Sequence, residues 1–233
     1  GGTGSIPILF ENSEFFSTDR GCRNQDNGRS AVWIEESFAE FKDITVVSGD
    51  FGLSFRSSAG KVSGSTINVN CNGVDINGMI SVGANEYAAN VSGNNITTVE
   101  GTPITAYAGA LAEIHDNTLS GAAEGSGIGV QSSRVTIHGN TIGPIGGWNG
   151  IWLYGSFDVD AQNNTITDTA KEPVMAGDYW TGDNPDVRRL YFANNEVTVS
   201  GTGVCQSSRY WGGEFTCSVV QVHRAGATIV DNV

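Results

Sequence analysis

The densest group of side chains that could do chemistry lies late in the chain, between two strand-like segments. Asp178, Asp183 and Asp186 are followed closely by Arg188 and Arg189. Two carboxyl groups held at a fixed separation can act as acid and base in the hydrolysis of a glycosidic bond. These five residues are therefore the weak candidates for a catalytic site in this sequence.

Aromatic side chains accompany these charges and point to another activity, the binding of sugars. The predicted ligand-binding set is Trp152, Tyr154, Tyr179, Trp180, Arg209, Tyr210 and Trp211. The C–H face of a sugar ring stacks on an aromatic ring, while its hydroxyl groups bond to charged side chains. The same rings could instead pack two long loops onto the body of the protein and leave the charges solvated. Both interpretations remain open on the sequence.

Two histidines form a second group. His115 and His138 occupy equivalent outward positions in neighbouring repeats and are weak candidates for a shared metal site. The sequence forces no third ligand into place beside them. A solvated polar pair is the alternative.

Four cysteines favour an oxidising compartment and two disulfide bonds. Cys205 and Cys217 enclose a short loop, and a bond at its base would restrict the unfolded chain. Cys22 and Cys71 lie in Asn- and Gly-rich corners about two coils, or about 10 Å, apart. Their bond therefore requires the two corners to lean together.

Three glycosylation sequons begin at Asn90, Asn95 and Asn163. Asn90 and Asn95 point outward in the repeat described next, so glycosylation is sterically feasible. Chance occurrence in an Asn- and Thr-rich repeat is the alternative.

These residues must be positioned by a repeated sequence motif, in which Gly, Asn or Asp is followed by Asn, any residue and an aliphatic residue. The key residues are separated by 23, 23, 24, 31 and 37 positions: Asn94, Asn117, Asn140, Asn164, Asn195 and Asn232. Alternate positions around them are apolar, which indicates strands with one buried face. The residue before each Asn tolerates a positive φ, so we expect a left-handed corner there. Stacked coils would align the Asn side chains in an inward hydrogen-bonded ladder.

This repeat resembles the right-handed parallel β-helix family, the pectate-lyase-like and NosD-like repeat proteins. The resemblance implies an all-β solenoid of about nine coils, and we expect two long loop insertions, 177–186 and 206–216, at one corner. We expect residues 1–233 to form a single β-helix domain. Because the repeat already includes both ends of the sequence, we also expect these 233 residues to be a segment of a longer chain.

The family hosts lyases, hydrolases, adhesins and passive scaffolds. Its lyases line one strand face with acidic residues that hold Ca²⁺, and use Arg or Lys as base. Here that face is predicted to hold almost no acids: Trp33, Glu35, Ser54, Arg56, Ser81, Tyr107, Gln131, Trp152 and Tyr154. The motifs Asn-Thr-Asp, Asp-Asp and Gly-His-Gly of the family's hydrolases do not occur in the sequence. The family's catalytic residues therefore cannot be carried over, and Ca²⁺ is a candidate cofactor only at the 178–189 loop.

Composition narrows the partners. The chain has 25 Asp and Glu against 12 Lys and Arg, a net charge of −13, which argues against nucleic acid. No apolar run is long enough to span a bilayer. We expect a secreted or cell-surface, structural or adhesive β-helix that presents loops to a glycan or another surface. The alternatives are a polysaccharide lyase or glycoside hydrolase acting at the 178–189 loop, and a subunit that self-associates end to end into an extracellular fibre.

Overall fold

The structure, a computed structural model, describes residues 8–17, 22, 30–78, 80–82, 85–177, 188–198, 219–223 and 225–233. Within these residues the regular structure consists of β-strands, and all but one pair of them run parallel. The strands form three ladders, because each coil of the chain contributes one strand to each ladder. The predicted all-β parallel solenoid is confirmed.

The first ladder contains, in stacking order, β1 (Ile8–Glu11), β4 (Phe38–Lys42), β7 (Ala59–Ser63), β12 (Ala89–Ser92), β15 (Leu111–His115), the second part of β17 (Ile128–His138), the second part of β19 (Ile151–Gln162), β22 (Arg188–Ala193) and β25 (Gly226–Val230). The second ladder contains β2 (Glu14–Ser17), β5 (Thr45–Ser48), β8 (Thr66–Val69), β13 (Asn95–Thr98), β16 (Thr118–Gly121), β18 (Thr141–Ile145), β20 (Thr165–Thr167) and β23 (Glu196–Thr198). The third ladder contains β3 (Ser30–Glu35), β6 (Phe51–Arg56), β9 (Val74–Asn77), β14 (Ile104–Tyr107), the first parts of β17 and β19, β21 (Val174–Gly177) and β24 (Val220–His223).

Aliphatic side chains at alternate positions fill the interior of the solenoid. In the second ladder Ile96, Leu119, Ile142 and Ile166 occupy successive coils in register, and each is fully buried. Burial of such side chains is the main favourable contribution to folding, and aliphatic side chains of similar size stack closely from coil to coil. The period-2 apolar pattern of the sequence therefore gives strands whose other face is left for solvent.

The predicted Asn ladder is confirmed at the corner between the first and second ladders. The side-chain Nδ2 of each Asn donates to Oδ1 of the next: Asn94 to Asn117 at 2.9 Å, Asn117 to Asn140 at 2.9 Å, Asn140 to Asn164 at 3.0 Å, Asn164 to Asn195 at 2.9 Å and Asn195 to Asn232 at 3.0 Å. The same Oδ1 atoms also accept backbone N–H groups. The amides are therefore satisfied although the Asn residues from Asn94 to Asn195 are buried.

The predicted left-handed corner is also confirmed. The residue before each key Asn has a φ between 50° and 66°: Gly93, Asp116, Gly139, Asn163, Asn194 and Asp231. Only Gly, Asn and Asp occur at these positions: glycine has no Cβ atom to clash in this conformation, and the short polar side chains of Asn and Asp can hydrogen-bond to the local backbone.

Two features differ from the expectation. The chain between the third ladder of one coil and the first ladder of the next contains an antiparallel pair, β10 (Ile80–Val82) and β11 (Asn85–Tyr87), which was not predicted. The two long insertions were expected at one corner, but they do not share one. Residues 178–187 lie between β21 and β22, from the third to the first ladder, whereas residues 199–218 lie between β23 and β24, from the second to the third.

Candidate functional site

The outward side of the third ladder gathers side chains that a ligand could contact. Inward residues of this ladder such as Ile128, Val130, Ile151 and Leu153 are buried, so their neighbours point outward. The outward residues form two columns along the solenoid. The first column is Trp33, Ser54, Asp75, Thr105, Gly129, Trp152, Met175 and Gln221, and the second is Glu35, Arg56, Asn77, Tyr107, Gln131, Tyr154 and Gly177. We call these two columns the third-ladder face.

An aromatic cluster lies on this face. The ring of Trp152 stacks on that of Tyr154 with 5.5 Å between centroids, and Trp148 meets Trp152 edge-on at 5.6 Å. Trp148 belongs to the turn before β19, is 40% exposed and has the ammonium group of Lys171 4.3 Å from its ring centroid. The cluster therefore presents large apolar ring surface to solvent beside one cation.

A second aromatic residue marks the other end of the face. Trp33 is 46% exposed, and the guanidinium carbon of Arg56 lies 4.7 Å from its ring centroid. Its indole N–H donates to Oε2 of Glu35 at 3.4 Å. The Nε atom of Arg56 is buried and has no hydrogen-bond partner among the described residues.

Between these aromatic ends lies a carboxylate that the sequence analysis missed. Asp75 is 4% exposed, and its Oδ2 accepts the hydroxyl of Tyr107 at 2.8 Å. Its Oδ1 accepts the hydroxyl of Thr105 and the amide of Asn72, the latter at 3.5 Å. Burial, and then the nearby Asp75 carboxylate, raise the pKa of Tyr107 to about 12, so its hydroxyl stays protonated at neutral pH. These contacts compensate the buried charge of Asp75.

Asp75 was missed because the strand of its coil was misplaced. Ser81 was predicted to lie on this face, but it belongs to β10 of the antiparallel pair. The signal that could have found β9 is its own sequence, in which Val74 and Ile76 alternate with Asp75 and Asn77.

The solenoid geometry agrees with a comparison against protein families. The family model described as the right-handed beta helix region matches residues 78–232, which is more than half of the chain. The chain belongs to the right-handed β-helix family. Neither the curated proteins nor the solved structures include a match. The three ladders of this β-helix continue before residue 78, through strands that start at Ile8.

Two members of the predicted ligand-binding set belong to the residues that the structure describes. Trp152 and Tyr154 lie on the third-ladder face, at the outward positions of β19 as expected. The other predicted aromatic and charged residues lie outside the described residues: Tyr179, Trp180, Arg209, Tyr210 and Trp211, together with the candidate catalytic Asp178, Asp183 and Asp186. Trp33 and Trp148 were not predicted as ligand-binding residues and are added by the structure.

The two candidate catalytic arginines lie on the first ladder of the β-helix. Arg189 makes a bidentate pair with Asp158, at 2.8 Å and 2.7 Å, and this carboxylate raises the pKa of Arg189. Arg188 donates from Nε to the carbonyl of Gly155 at 3.0 Å. Since Gly155 follows Tyr154, Arg188 reaches the border of the third-ladder face, while Arg189 faces away along the first ladder.

The histidines stack as expected. Their rings are parallel, with 4.8 Å between the centroids of His115 and His138. Nδ1 of His115 lies 2.9 Å from Oδ2 of Asp116, and its Nε2 lies 3.3 Å from the amide of Asn90. No group of three or more His, Cys, Asp or Glu side chains in the described part of the chain is placed to hold a metal.

Cys22 and Cys71 form a disulfide bond, with 5.3 Å between their Cα atoms. This distance is shorter than the spacing of about 10 Å that applies to strands stacked two coils apart. Cys205 and Cys217 lie outside the described residues, and their bond stays a prediction. The sequon residues Asn95 and Asn163 are exposed and Asn90 is partly exposed, where it donates to Glu113 at 2.9 Å. Among the described residues there is no helix that could cross a membrane.

Proposed function

We propose that this β-helix is a secreted or cell-surface protein that binds a glycan chain along its third-ladder face, in a structural or adhesive role. The observation that carries the proposal is the cluster of the exposed Trp148 with the half-buried Trp152 and Tyr154. Two of these rings stand on a strand of the solenoid, so their separation is fixed before a ligand arrives. Prearranged rings lose little conformational freedom on binding, which favours affinity.

The length of the face supports an extended ligand. Trp33 and Trp152 belong to one column and are separated by five coil steps, through Ser54, Asp75, Thr105 and Gly129. At about 4.8 Å per step, the two aromatic ends lie roughly 24 Å apart. A straight chain of several sugar rings fits a flat face of this length better than a compact ligand does.

The middle of the face supports hydrogen bonding to sugar hydroxyl groups. Its second column presents Asn77, Tyr107 and Gln131, which offer amide and phenol groups in neighbouring coils. The Tyr107 hydroxyl donates to Asp75, which leaves its oxygen able to accept a hydrogen bond from a ligand. Aromatic faces at the ends and polar groups between them match the alternating apolar and polar surfaces of a glycan.

Several observations favour binding over catalysis at this face. Asp75 is engaged by the hydroxyls of Thr105 and Tyr107, and Glu35 accepts a bond from Trp33. Arg189 is paired with Asp158. An oxidising location is supported by the Cys22–Cys71 bond.

The test is the binding of the protein to an array of plant, fungal and bacterial glycans, followed by titration of each binder. Trp148→Ala and Trp152→Ala should each weaken binding about fivefold or more, because a ring covered by ligand contributes about 1 kcal/mol or more. The matched control is Tyr191→Ala, which removes a 37% exposed ring from the first ladder and should leave binding unchanged. Equal losses in all three variants, or no binding by the parent protein, would refute the proposal. Release of unsaturated products or new reducing ends from a bound glycan would instead favour the enzymatic alternative.

A further inference from the structure

Two positions in the third-ladder face have no side chain, Gly129 and Gly177, and of these two Gly177 has a positive φ, 129°. Gly129 lies between the buried Ile128 and Val130, so a side chain there would point outward. It pairs in register with Thr105 of the preceding coil and Trp152 of the following one. Glycine weakens the interior of a strand, and where it is kept it often marks a bulge or a close approach by a ligand or another backbone.

The fold itself does not require glycine at position 129. A Cβ atom built there would meet only the methyl groups of Thr102 and Thr105, both at the ordinary distance of 3.7 Å. Strand glycines with a close neighbour are different: a Cβ at Gly60 would lie 2.0 Å from the carbonyl oxygen of Ala39, whereas one at Gly226 in the last strand would, like that at Gly129, meet only ordinary contact distances. Gly129 does not have the positive φ that favours glycine either.

Gly129 is also not covered by its aromatic neighbour. Those two methyl groups are the only atoms of the described chain, apart from the adjoining residues, within 4 Å of the Cβ position. Trp152, although one coil away, therefore leaves this place open. The result is a shallow notch in the face, with Thr105 on one side, Trp152 on the other and Gln131 beside it in the second column.

The charges around the notch identify the chemical class of the ligand. The outward third-ladder residues of β9, β14, β17 and β19 include Asp75 but no Lys or Arg. The two cations at the border are already engaged, Lys171 by the ring of Trp148 and Arg188 by the carbonyl of Gly155. A negatively charged sugar would meet the carboxylate of Asp75 and a protein with a net charge of −13, while Arg56 of the same face lies three coil steps from Gly129, with its guanidinium group over the ring of Trp33.

We propose that Gly129 is the floor of a subsite that takes one ring of an uncharged glycan, edge-on to Trp152. The proposal rests on the proposed glycan binding and adds both a position and a ligand class. The ring fills the space of the missing side chain, and its hydroxyl groups reach Tyr107 and Gln131 in the second column. An uncharged ligand also implies an affinity that salt does not change.

The experiment fills the notch. Gly129→Leu should lower the affinity for the bound glycan at least tenfold, and Gly129→Ala should lower it less. The control is Thr136→Leu, which adds similar bulk at an exposed position of the same strand on the first ladder. Gly129→Ala and Thr136→Leu should melt like the parent, because a Cβ at position 129 meets no clash and Thr136 is exposed, and circular dichroism and melting check that Gly129→Leu is folded.

The ligands are neutral hexasaccharides of glucose, mannose, xylose and galactose, with hexamers of glucuronate, mannuronate and galacturonate as acidic counterparts. We expect one or more neutral hexamers to bind, with the same affinity at low and high salt, and the acidic hexamers to bind less well. Tighter binding of an acidic hexamer would overturn the ligand class. Parent-like binding by Gly129→Leu, with loss of binding in Trp152→Ala, would overturn the subsite while leaving the proposed function intact. Absence of any binding by the parent protein would refute the proposed function and the subsite with it.

Discussion

Replacing Asn140 by Asp changes one atom of the buried ladder and tests whether the ladder stabilises the β-helix. Nδ2 of Asn140 donates to the carbonyl of Ile114 at 3.0 Å, to that of His138 at 3.1 Å and to Oδ1 of Asn164 at 3.0 Å. Asn140 is 1% exposed, so water does not replace these partners. A carboxylate oxygen in the place of Nδ2 would face three oxygen atoms and donate nothing.

The cost follows from the protonation that relieves this arrangement. Keeping an Asp protonated at pH 7, against an ordinary pKa of about 3.9, costs about 4 kcal/mol. The protonated acid donates one O–H where the amide donated two N–H groups, and the lost buried hydrogen bond adds about 1–2 kcal/mol. Asn140→Asp should therefore lower the free energy of unfolding by roughly 5–6 kcal/mol at pH 7.

The pH dependence has a definite sign. The pKa of the introduced Asp is higher in the folded protein than in the unfolded chain, so the unfolded chain loses its proton first as pH rises. The penalty, measured as the difference from the parent protein at each pH, should be about 1–2 kcal/mol near pH 4 and should grow towards pH 7.

Urea unfolding of parent and variant at both pH values measures this difference. The control is Asn95→Asp, which makes the same chemical change at an exposed position next to the ladder and should stay within about 0.5 kcal/mol of the parent. A penalty for Asn140→Asp below about 0.5 kcal/mol at pH 7, or one equal at both pH values, would refute the assignment of the ladder as a stabilising element.

Two further predictions concern other contacts. Cys22→Ser removes a bond that closes a separation of 49 residues and should lower stability by up to about 4 kcal/mol; non-reducing peptide mapping should recover Cys22 linked to Cys71, and free thiols there would contradict it. The same map checks the predicted Cys205–Cys217 bond. Because the pKa of Tyr107 is raised to about 12, its protonated phenol contributes to the free energy of unfolding at every pH below the ordinary Tyr pKa of about 10. This contribution to stability is lost as pH rises from 10 through 12. For this half-buried group the loss should be about 1 kcal/mol after allowance for solvent, and Tyr107→Phe should remove that part of the alkaline decline in urea unfolding.

The ladder and the core could be predicted because they repeat. Asn94, Asn117 and Asn140 recur with the same apolar neighbours, and a requirement that every coil must meet leaves the same mark in every copy. The corner residues could be predicted as well, because a positive φ favours a few residue types. The structure confirms these features with the residue numbers that the repeat assigned.

Features that occur once were harder to predict. Asp75 lies in a coil that is followed by the antiparallel pair β10 and β11, and without the length of that insertion the strand of this coil could not be aligned. The corners of the two long insertions were also misplaced. Their positions depend on the short strands β21 and β24, which determine the ladders that each insertion connects. Trp148 was missed as a binding residue because it reaches the face from a turn, where no period-2 pattern applies.

The division between repeated interior and varied exterior bears on how this protein can bind a ligand. The interior fixes each coil at about 4.8 Å from the next, so an outward residue is placed by its register alone. Trp33, Gly129 and Trp152 need no contacts with one another to keep their spacing, because the buried ladders below hold it. Binding specificity can then change through the substitution of one outward side chain at a time. Such a substitution leaves the core intact, provided that the new side chain does not clash with the backbone. Gly129 satisfies that condition and Gly60 does not, so the notch at position 129 is a feature that sequence change could fill and the fold does not impose.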